Sequence, residues 1–566
     1  MALLSGLVDR YCLATSHCVN ANAVVVIASF QGTAETLIPT IQKNTPTLLR
    51  TFPLLGAVVV DRATRNARFA ASKRITATRI VDQKPQTAAS LEEIFHNEHH
   101  RNGTELDPEQ GPLWRVAFYD KEGSLEPTCY VALSCSHVIN DGLGICELLR
   151  QLLRRPEINE KVERSTLKNQ FPPRLEDTVD IPTPWHWLRD GWLHSAASML
   201  PSFLNPYAPA PPSWPMTVSK RPIDCGIKRI ILGDDHDSPG WLGSGLKSFS
   251  KISGAGSVNS IVHGAIAYSL YLATKEHDKT LPADLRFKSI TPISIRSKDL
   301  GHPTTTGNYI NVGHFSFSAS DLSSADFTVH NLLHNYHAWM HSPTGRHVAR
   351  NATGMMRFFT ELDYNRITEW IPFYPSVKPE KLGNWLLSEP PTAYERFIMR
   401  SQNLTFDAEG KAKSTYSSAF QLSNTGMMKT GEWDEELRER LRGMWWAQRP
   451  MPWGECIFAD VMGCEVLQTK VSDNDDTDSA YSTASDSSGD EPTEVVQNHL
   501  GISLSWRDGA VDNRIVEDSA ENLRAMLNLL AAAGHQGKLA TSVISTLPIQ
   551  DFGRRLKESM GTKWTC

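Results

Sequence analysis

The fold of this chain is decided by the stretch CYVALSCSHVINDGLGICELLRQLL, residues 129–153. Residues 129–136 form an apolar run of the kind that builds a buried strand. From Ile145, apolar residues recur at i+3, i+4, i+7 and i+8, which is the pattern of an amphipathic helix. The stretch therefore predicts a strand, a turn and a helix. His137 falls at the end of the strand, where its side chain can face a cleft.

His137 is the candidate general base of this turn. An imidazole has an unperturbed pKa of about 6.5, so it accepts a proton readily near neutral pH. Asp141 suits a structural role, because its carboxylate can cap the backbone amides of the helix or pair with an arginine. Gly142 relieves crowding where the chain turns. The pattern His-x-x-x-Asp-Gly thus predicts a catalytic site at the strand–helix turn.

The rest of the chain alternates buried strands with amphipathic helices. Runs such as AVVVIA at 23–28 and LGAVVV at 55–60 are apolar and β-branched, and helical patterns lie between runs of this kind. The expected fold class is therefore α/β or α+β. A length of 566 residues favours two packed lobes.

Two breaks in composition divide the chain. A segment dense in Pro and Trp, residues 182–215, predicts a linker between an N-terminal lobe at 1–181 and a C-terminal lobe at 216–566. Its tryptophans leave a substrate lid or a peripheral membrane contact as alternatives. An acidic stretch at about 471–496 has too few apolar residues to fold. We expect it to be a disordered insertion in a hairpin connection, because the cost of loop closure grows slowly with length.

The charge balance and the N-terminus exclude several classes of protein. Lys and Arg number 57 against 63 Asp and Glu, and the formal net charge is −6, so nucleic acid is not an expected partner. The first ten residues lack the features of a signal peptide, and no apolar run reaches the roughly 20 residues of a membrane span. We therefore expect a soluble cytoplasmic protein.

The cysteines and the remaining histidines are interpreted as structural. Nine cysteines without paired spacing indicate reduced thiols, and no metal site is predicted. Cys135 is interpreted as a residue of the strand core rather than a nucleophile. His96, His99 and His100, with Glu98 among them, are interpreted as a solvated helix face. His263 lies in an apolar helix, and we interpret it as a core histidine.

Seven runs in a fixed order give the chain a family resemblance. They are GLVDRYCLATSH at 6–17, FPLLG at 52–56, the motif at 137–142, FPPRLED at 171–177, TPISIR at 291–296 with GNY at 307–309, FQLSNTG at 420–426 and GISLSW at 501–506. With these runs the chain resembles the fungal alcohol acetyltransferase family. That family is a branch of the superfamily of chloramphenicol-acetyltransferase-like (CAT-like) enzymes, which also holds plant-type BAHD acyltransferases and the condensation domains of peptide synthetases.

The resemblance implies a fold and a set of site residues. The fold is two CAT-like lobes with a tunnel between them, in which a thioester donor and an acceptor meet at His137. Arg296 is expected to form a structural ion pair with Asp141. Ser136 stands where the family often has a second histidine. Further candidates for the tunnel or for binding an oxyanion are Ser136, Asn308, Ser423, Asn424 and Gly426, and a plain turn at 423–426 is an equal alternative.

The function implied is acyl transfer without a bound cofactor. Acyl-CoA, with acetyl-CoA as the default, would donate to a hydroxyl or amine of a small molecule such as a fungal secondary metabolite, and the enzyme would be a monomer. Two alternatives stay open. One is a condensation-type transferase that takes its acyl group from a carrier-protein thioester. The other is a non-catalytic descendant that serves as a binding module.

Overall fold

A computed structural model describes most of the chain. The described residues are 2–4, 6–19, 23–62, 67–123, 126–165, 171–182, 185, 189, 193, 211–216, 226–234, 240–343, 345–346, 349–350, 353–354, 405–406, 412–414, 416–451, 454–469 and 494–561.

The strands of these described residues are numbered in chain order. They are β1 Ala2–Leu4, β2 Ala23–Gln31, β3 Ala57–Val60, β4 Arg68–Ala71, β5 Gln86–Ala88, β6 Trp114–Lys121, β7 Thr128–Ser136, β8 Ile227–Gly233, β9 Arg286–Ser294, β10 Ile310–Ser318, β11 Thr405–Phe406, β12 Ala412–Ser414, β13 Tyr416–Met428, β14 Leu441–Gln448, β15 Gly454–Thr469 and β16 Glu494–Arg507.

The helices are numbered in the same way. They are α1 Leu7–Val19, α2 Ile38–Thr51, α3 Ala77–Ile80, α4 Leu91–Glu105, α5 Gly142–Leu152, α6 Pro156–Ser165, α7 Leu175–Thr178, α8 Trp241–Ser253, α9 Val258–His277, α10 Ala319–Leu322, α11 Val329–His341, α12 Glu435–Arg440, α13 Asn513–Gln536, α14 Lys538–Thr546 and α15 Ile549–Gly561. None of these helices combines the length and the apolarity that crossing a bilayer requires.

One sheet belongs to the N-terminal lobe and has the strand order β14-β2-β7-β6-β5. β2 pairs antiparallel with β7, where Val26 lies opposite Leu133. The edge strand β14 comes from the other half of the sequence, and its Trp446 lies opposite Val26. Residues 441–448 therefore complete the N-terminal sheet, which a simple division of the chain at 182–215 does not anticipate.

The larger sheet has the order β10-β9-β13-β15-β16-β8. β13 runs parallel to both β9 and β15, and the other neighbours are antiparallel. The predicted acidic insertion lies between β15 and β16, and its residues 471–493 lie outside the described residues. β16 begins at Glu494, so the last three residues of the range 471–496 belong to a strand because they continue the ladder with β15.

Two large hydrophobic cores hold these layers together, with a smaller third cluster that packs α4 against the N-terminal sheet. The first packs α1, α2 and α5 against the N-terminal sheet. The second packs α8, α9, α11 and α13 against the six-stranded sheet. The mixed α/β class with two lobes is thus confirmed. Burial of apolar area at roughly 25 cal/mol per Å² makes these cores the main source of stability.

The predicted linker is described at only a few positions. Trp214 is 2 % exposed, stacks on Phe287 at 6.5 Å between ring centroids and belongs to the second core. Trp185 is 76 % exposed. Trp187 and Trp192 lie outside the described residues. The boundaries at 182 and 215 stay a prediction.

Helix α4 differs from the expected solvated face. His96 and His100 are exposed, but His99 is only 3 % exposed and Glu98 is fully buried. The expectation was wrong for these two residues, because they face the N-terminal sheet and not solvent.

The buried carboxylate of Glu98 is satisfied by partners on neighbouring strands. Glu98 lies 2.5 Å from Arg115 Nη2, and it accepts hydrogen bonds from Tyr119 at 2.6 Å and Ser134 at 2.7 Å. A buried charge is tolerated only when it is paired and hydrogen-bonded in this way. The partners are distant in sequence, so the charges of the helix alone could not reveal the burial.

Glu98→Ala should lower the free energy of unfolding by about 3 kcal/mol, because among the described residues Arg115 would keep only the more distant Glu105 as an ion-pair partner. Chemical denaturation followed by circular dichroism measures this loss. Glu109→Ala removes an exposed carboxylate and is the control, with an expected change within about 0.5 kcal/mol. Equal stability of the two variants would contradict the role given to Glu98.

Candidate active site

The predicted strand, turn and helix at 129–153 are present. β7 ends at Ser136, and α5 begins at Gly142. The Ile139 amide donates to the Ser136 carbonyl at 3.2 Å, and the Val138 amide donates to Ser136 Oγ at 3.4 Å. Ser136 is 3 % exposed, so this candidate tunnel residue shapes the turn and offers little surface to a substrate.

Asp141 is 1 % exposed, and its carboxylate joins three segments of the chain. Oδ1 accepts the Gly144 amide at 2.9 Å, which caps α5, and lies 2.7 Å from Arg296 Nη2. Oδ2 accepts the Tyr309 amide at 3.0 Å. The predicted Asp141–Arg296 ion pair is therefore present and buried.

Arg296 follows β9 and also holds the loop between β9 and β10. Its Nη1 donates to the carbonyls of Pro303 and Thr306, the latter at 2.9 Å, and Nη2 donates to the Gly307 carbonyl at 2.8 Å. The guanidinium lies 4.9 Å from the centre of the Tyr309 ring. A planar fork with several donors suits this geometry, so Arg296 fixes the loop that carries Asn308.

His137 is partly buried, and its ring is held at Nδ1. Asn308 Oδ1 lies 3.1 Å from Nδ1, and Cys12 Sγ lies 3.6 Å from the same atom. No described residue forms a hydrogen bond with Nε2. Burial lowers the pKa of His137 below the ordinary histidine value, although a bond to its own backbone, Asp141 and Asn308 act in the opposite direction.

Two residues of α1 complete the site, and the sequence analysis singled out neither. Asp9 Oδ1 accepts from Asn308 Nδ2 at 2.9 Å, and Cys12 lies one helical turn later. Burial raises the pKa of Asp9 to about 6, and burial raises the pKa of the Cys12 thiol well above its usual value. The signal that could have found them was the run at 6–17, which resembles the opening segment of the family.

Three of the candidates, Ser423, Asn424 and Gly426, lie on strand β13 at a β-bulge. Asn424 Oδ1 accepts the Gly426 amide at 2.8 Å, and Asn424 Nδ2 donates to Asn259 at 3.1 Å. Gly426 has a φ of +77°, which favours glycine. These contacts stabilise an irregularity within strand β13, where the register with β15 shifts between Asn424 and Met427. The turn and the oxyanion interpretations both stay predictions. Ser423 is 7 % exposed and has no side-chain hydrogen bond to a described residue, so it stays a candidate donor to an oxyanion.

Gly142 is where β13 and β14 meet the motif. A Cβ atom there would lie 3.2 Å from Trp446 and 3.3 Å from Thr425. A Cβ atom on Gly144 would lie 1.8 Å from Asn140 Oδ1, so the Asn140 side chain, which donates to the Thr305 carbonyl, would have to move. Gly142 therefore lets strands of both sheets approach the His137 turn closely, and Gly144 leaves room for Asn140.

Two cavities adjoin the site. One of about 370 Å³ is lined by α5, β13 and β15, including Met427, Met428 and Met462, and by Arg296. A smaller one of about 20 Å³, room for one water molecule, lies beside Asn308 and α1. These two cavities do not trace a continuous passage, so the tunnel stays a prediction.

Cys135 and His263 are core residues, as interpreted from the sequence. Cys135 is 1 % exposed, and burial raises the pKa of its thiol well above the usual value, so it is not an activated nucleophile. His263 is 1 % exposed, lies 2.7 Å from Ser289 Oγ and stacks on Tyr336. Burial lowers its pKa to about 3.

Comparison with solved structures identifies the fold. The trichothecene 15-O-acetyltransferase TRI3 from Fusarium sporotrichioides is similar over 93 % of this chain and 95 % of its own length, with a TM-score of 0.51 and 11 % identity. The fold is that of the CAT-like acyltransferases. The condensation domain of the Monacolin K polyketide synthase MokA matches with a TM-score of 0.47 and 11 % identity, over 94 % of this chain and 98 % of its own.

A third similar structure is VibH, an NRPS condensation enzyme, with a TM-score of 0.45 and 12 % identity over 95 % of this chain and 98 % of its own. At 11 % identity the likeness to TRI3 shows the fold alone. No protein-family model and no curated protein matches the chain. Membership of the fungal alcohol acetyltransferase family stays a prediction.

Arg296→Lys should lower the free energy of unfolding by about 2 kcal/mol, because an ammonium cannot serve Asp141 and the loop carbonyls of this CAT-like fold at once. Chemical denaturation measures the loss. Arg514→Lys, in the exposed pair with Asp512, is the control and should change by less than about 0.5 kcal/mol. A loss as small as that of the control would show that the ion pair does not stabilise the turn.

Proposed function

We propose that this protein is an acyltransferase that moves an acyl group from acyl-CoA, with acetyl-CoA as the first donor to test, to a hydroxyl or amine of a small molecule. The observation that carries the proposal is His137, an imidazole held through Nδ1 with Nε2 left for a substrate. It occupies the end of a buried strand, and the following helix lines a cavity of about 370 Å³.

The proposed reaction is direct transfer in a ternary complex. His137 Nε2 takes the proton of the acceptor as the acceptor oxygen or nitrogen attacks the thioester carbonyl. The tetrahedral intermediate then collapses, the carbon–sulfur bond breaks, and the departing thiolate takes the proton from the imidazolium. Ser423 is the candidate hydroxyl donor to the transient oxyanion.

In this proposal Asp141 has a structural role and takes no part in transferring the proton of the acceptor. Both of its carboxylate oxygens are engaged by Arg296, the α5 cap and the Tyr309 amide. None of its hydrogen bonds goes to His137. The carboxylate therefore holds the turn, and it does not relay charge to the base.

The lining of the larger cavity indicates which chemical groups it can hold. Three methionines give an apolar wall that can adapt to different shapes, which suits an acyl chain or an apolar acceptor. Lys429 lies at the same cavity and is exposed, so it can meet an anionic group of the donor. TRI3 is a trichothecene 15-O-acetyltransferase, which supports a hydroxyl of a fungal secondary metabolite as the acceptor to try first.

His137→Ala should reduce acyl transfer by about 10²- to 10⁴-fold, the range that a positioned general base contributes. The measurement is thiol release from acetyl-CoA with a panel of alcohols and amines. His96→Ala, at an exposed histidine of α4, is the matched control and should retain wild-type activity.

The outcomes of this assay separate the alternatives. Release that depends on both the acceptor and His137 supports direct transfer from CoA. If the wild type releases no thiol from any acyl-CoA but accepts an acylated carrier protein, the donor is a carrier-protein thioester and the enzyme is of the condensation type. Silence with both donors overturns the enzymatic proposal in favour of a binding module.

The pH dependence of kcat/KM should follow the lowered pKa of His137. Because only the neutral imidazole can take a proton, activity falls as the pH drops through that pKa, so the acid limb should have its midpoint below about 6.5. Rates measured from pH 4.5 to 8.5 give the midpoint. A midpoint well above 6.5 would be incompatible with burial as the dominant effect on this histidine.

A further inference from the structure

We infer that Asn308, anchored by Asp9, is the positioning residue that keeps the His137 proton on Nδ1 and the lone pair on Nε2. The kinetic part of this inference rests on the proposed function, while the tautomer itself does not. The sequence indicated Asn308 as a residue of the tunnel. The structure instead places it 4 % exposed, with its amide between α1 and the catalytic turn.

The orientation of the Asn308 amide is fixed by its surroundings. Its Nδ2 faces three acceptors, Asp9 Oδ1 at 2.9 Å, the His137 carbonyl at 2.8 Å and the Val138 carbonyl at 3.3 Å. A flipped amide would set its oxygen against these three oxygens and lose every one of the bonds. Oδ1 is therefore the atom that faces the imidazole.

The tautomer of His137 follows from that orientation. An amide oxygen only accepts, so at 3.1 Å it requires a proton on Nδ1 of the neutral ring. A neutral imidazole with its proton on Nδ1 has its lone pair on Nε2. In the opposite tautomer, with the proton on Nε2, the lone pair of Nδ1 would face the lone pairs of Asn308 Oδ1. The Cys12 thiol would then be the remaining contact of Nδ1.

Asp9 fixes which way the Asn308 amide points. An ionised carboxylate only accepts, so it keeps the Asn308 NH₂ group pointing away from the ring. Asp9 Oδ2 in turn accepts the Gly6 amide at 2.8 Å, which ties the carboxylate to the start of α1. Burial raises the pKa of Asp9 to about 6, while the hydrogen bonds from Asn308 and the Gly6 amide act in the opposite direction. At pH 8, well above this pKa, the carboxylate is ionised.

The first test reads the tautomer without any substrate. Protein labelled with ¹⁵N-histidine at pH 8 should show His137, assigned by the loss of its signals in His137→Gln, with a protonated Nδ1 and a bare Nε2. In Asn308→Ala the signals should move toward the Nε2–H form. Asn311→Ala removes another buried asparagine, bonded to Thr353 and not to His137, and should leave the His137 signals unchanged.

The second test reads the consequence for acyl transfer. Asn308→Ala should lower kcat by about 10- to 100-fold with little change in KM, which is part of the roughly 10²–10⁴-fold that a general base supplies. Asp9→Ala should have a smaller effect of the same kind, because Asn308 keeps its bonds to the two carbonyls. Asn311→Ala should lose stability without the loss in kcat.

The outcomes distinguish this inference from the proposed function. A wild-type His137 protonated on Nε2, or a tautomer that Asn308→Ala does not change, overturns the inference whatever the kinetics show. If Asn308→Ala does not change the tautomer, the backbone of His137 itself, which also interacts with the ring, would be the group that fixes it. If the tautomers are as expected but the protein transfers no acyl group, the inference is supported and the proposed function is overturned.

Discussion

The ion pair between Asp141 and Arg296 is the interaction on which the rest of the site depends. It joins the turn after β7 to the loop after β9, so it links the two lobes beside His137. A carboxylate that is 1 % exposed is costly to bury, and here each oxygen is occupied. Because a buried network of this kind holds only when every member is satisfied, the turn and the loop keep one relative position.

Strand β14 secures the same junction from the other side. It completes the N-terminal sheet although its neighbours in sequence belong to the C-terminal lobe, and its Trp446 packs over Gly142. The indole also donates to the Val461 carbonyl on β15, at 2.9 Å. The lobes therefore share a strand and a buried indole next to the His137 turn. Separating them there would expose both, so substrates are expected to enter without such an opening.

The sequence predicted the parts of this site that are local or carried by a motif. The strand, turn and helix at 129–153 follow from periodicity, and the partner of Asp141 followed from a family resemblance. Asp9 was missed, and Asn308 was given a different task, because their contact joins residues remote in sequence. The burial of Glu98 was hidden for the same reason. No pattern within a helix shows which face a distant strand will cover.

The partner of His137 Nδ1 decides how the base behaves. A carboxylate at that position would favour the protonated imidazole and raise its pKa. Asn308 offers an uncharged oxygen, which fixes the ring without adding a charge, and burial then keeps the pKa low. The one buried carboxylate of the turn, Asp141, is spent on Arg296 and the helix cap. His137 is thus oriented and kept neutral near neutral pH, which is the state that the proposed role of general base requires.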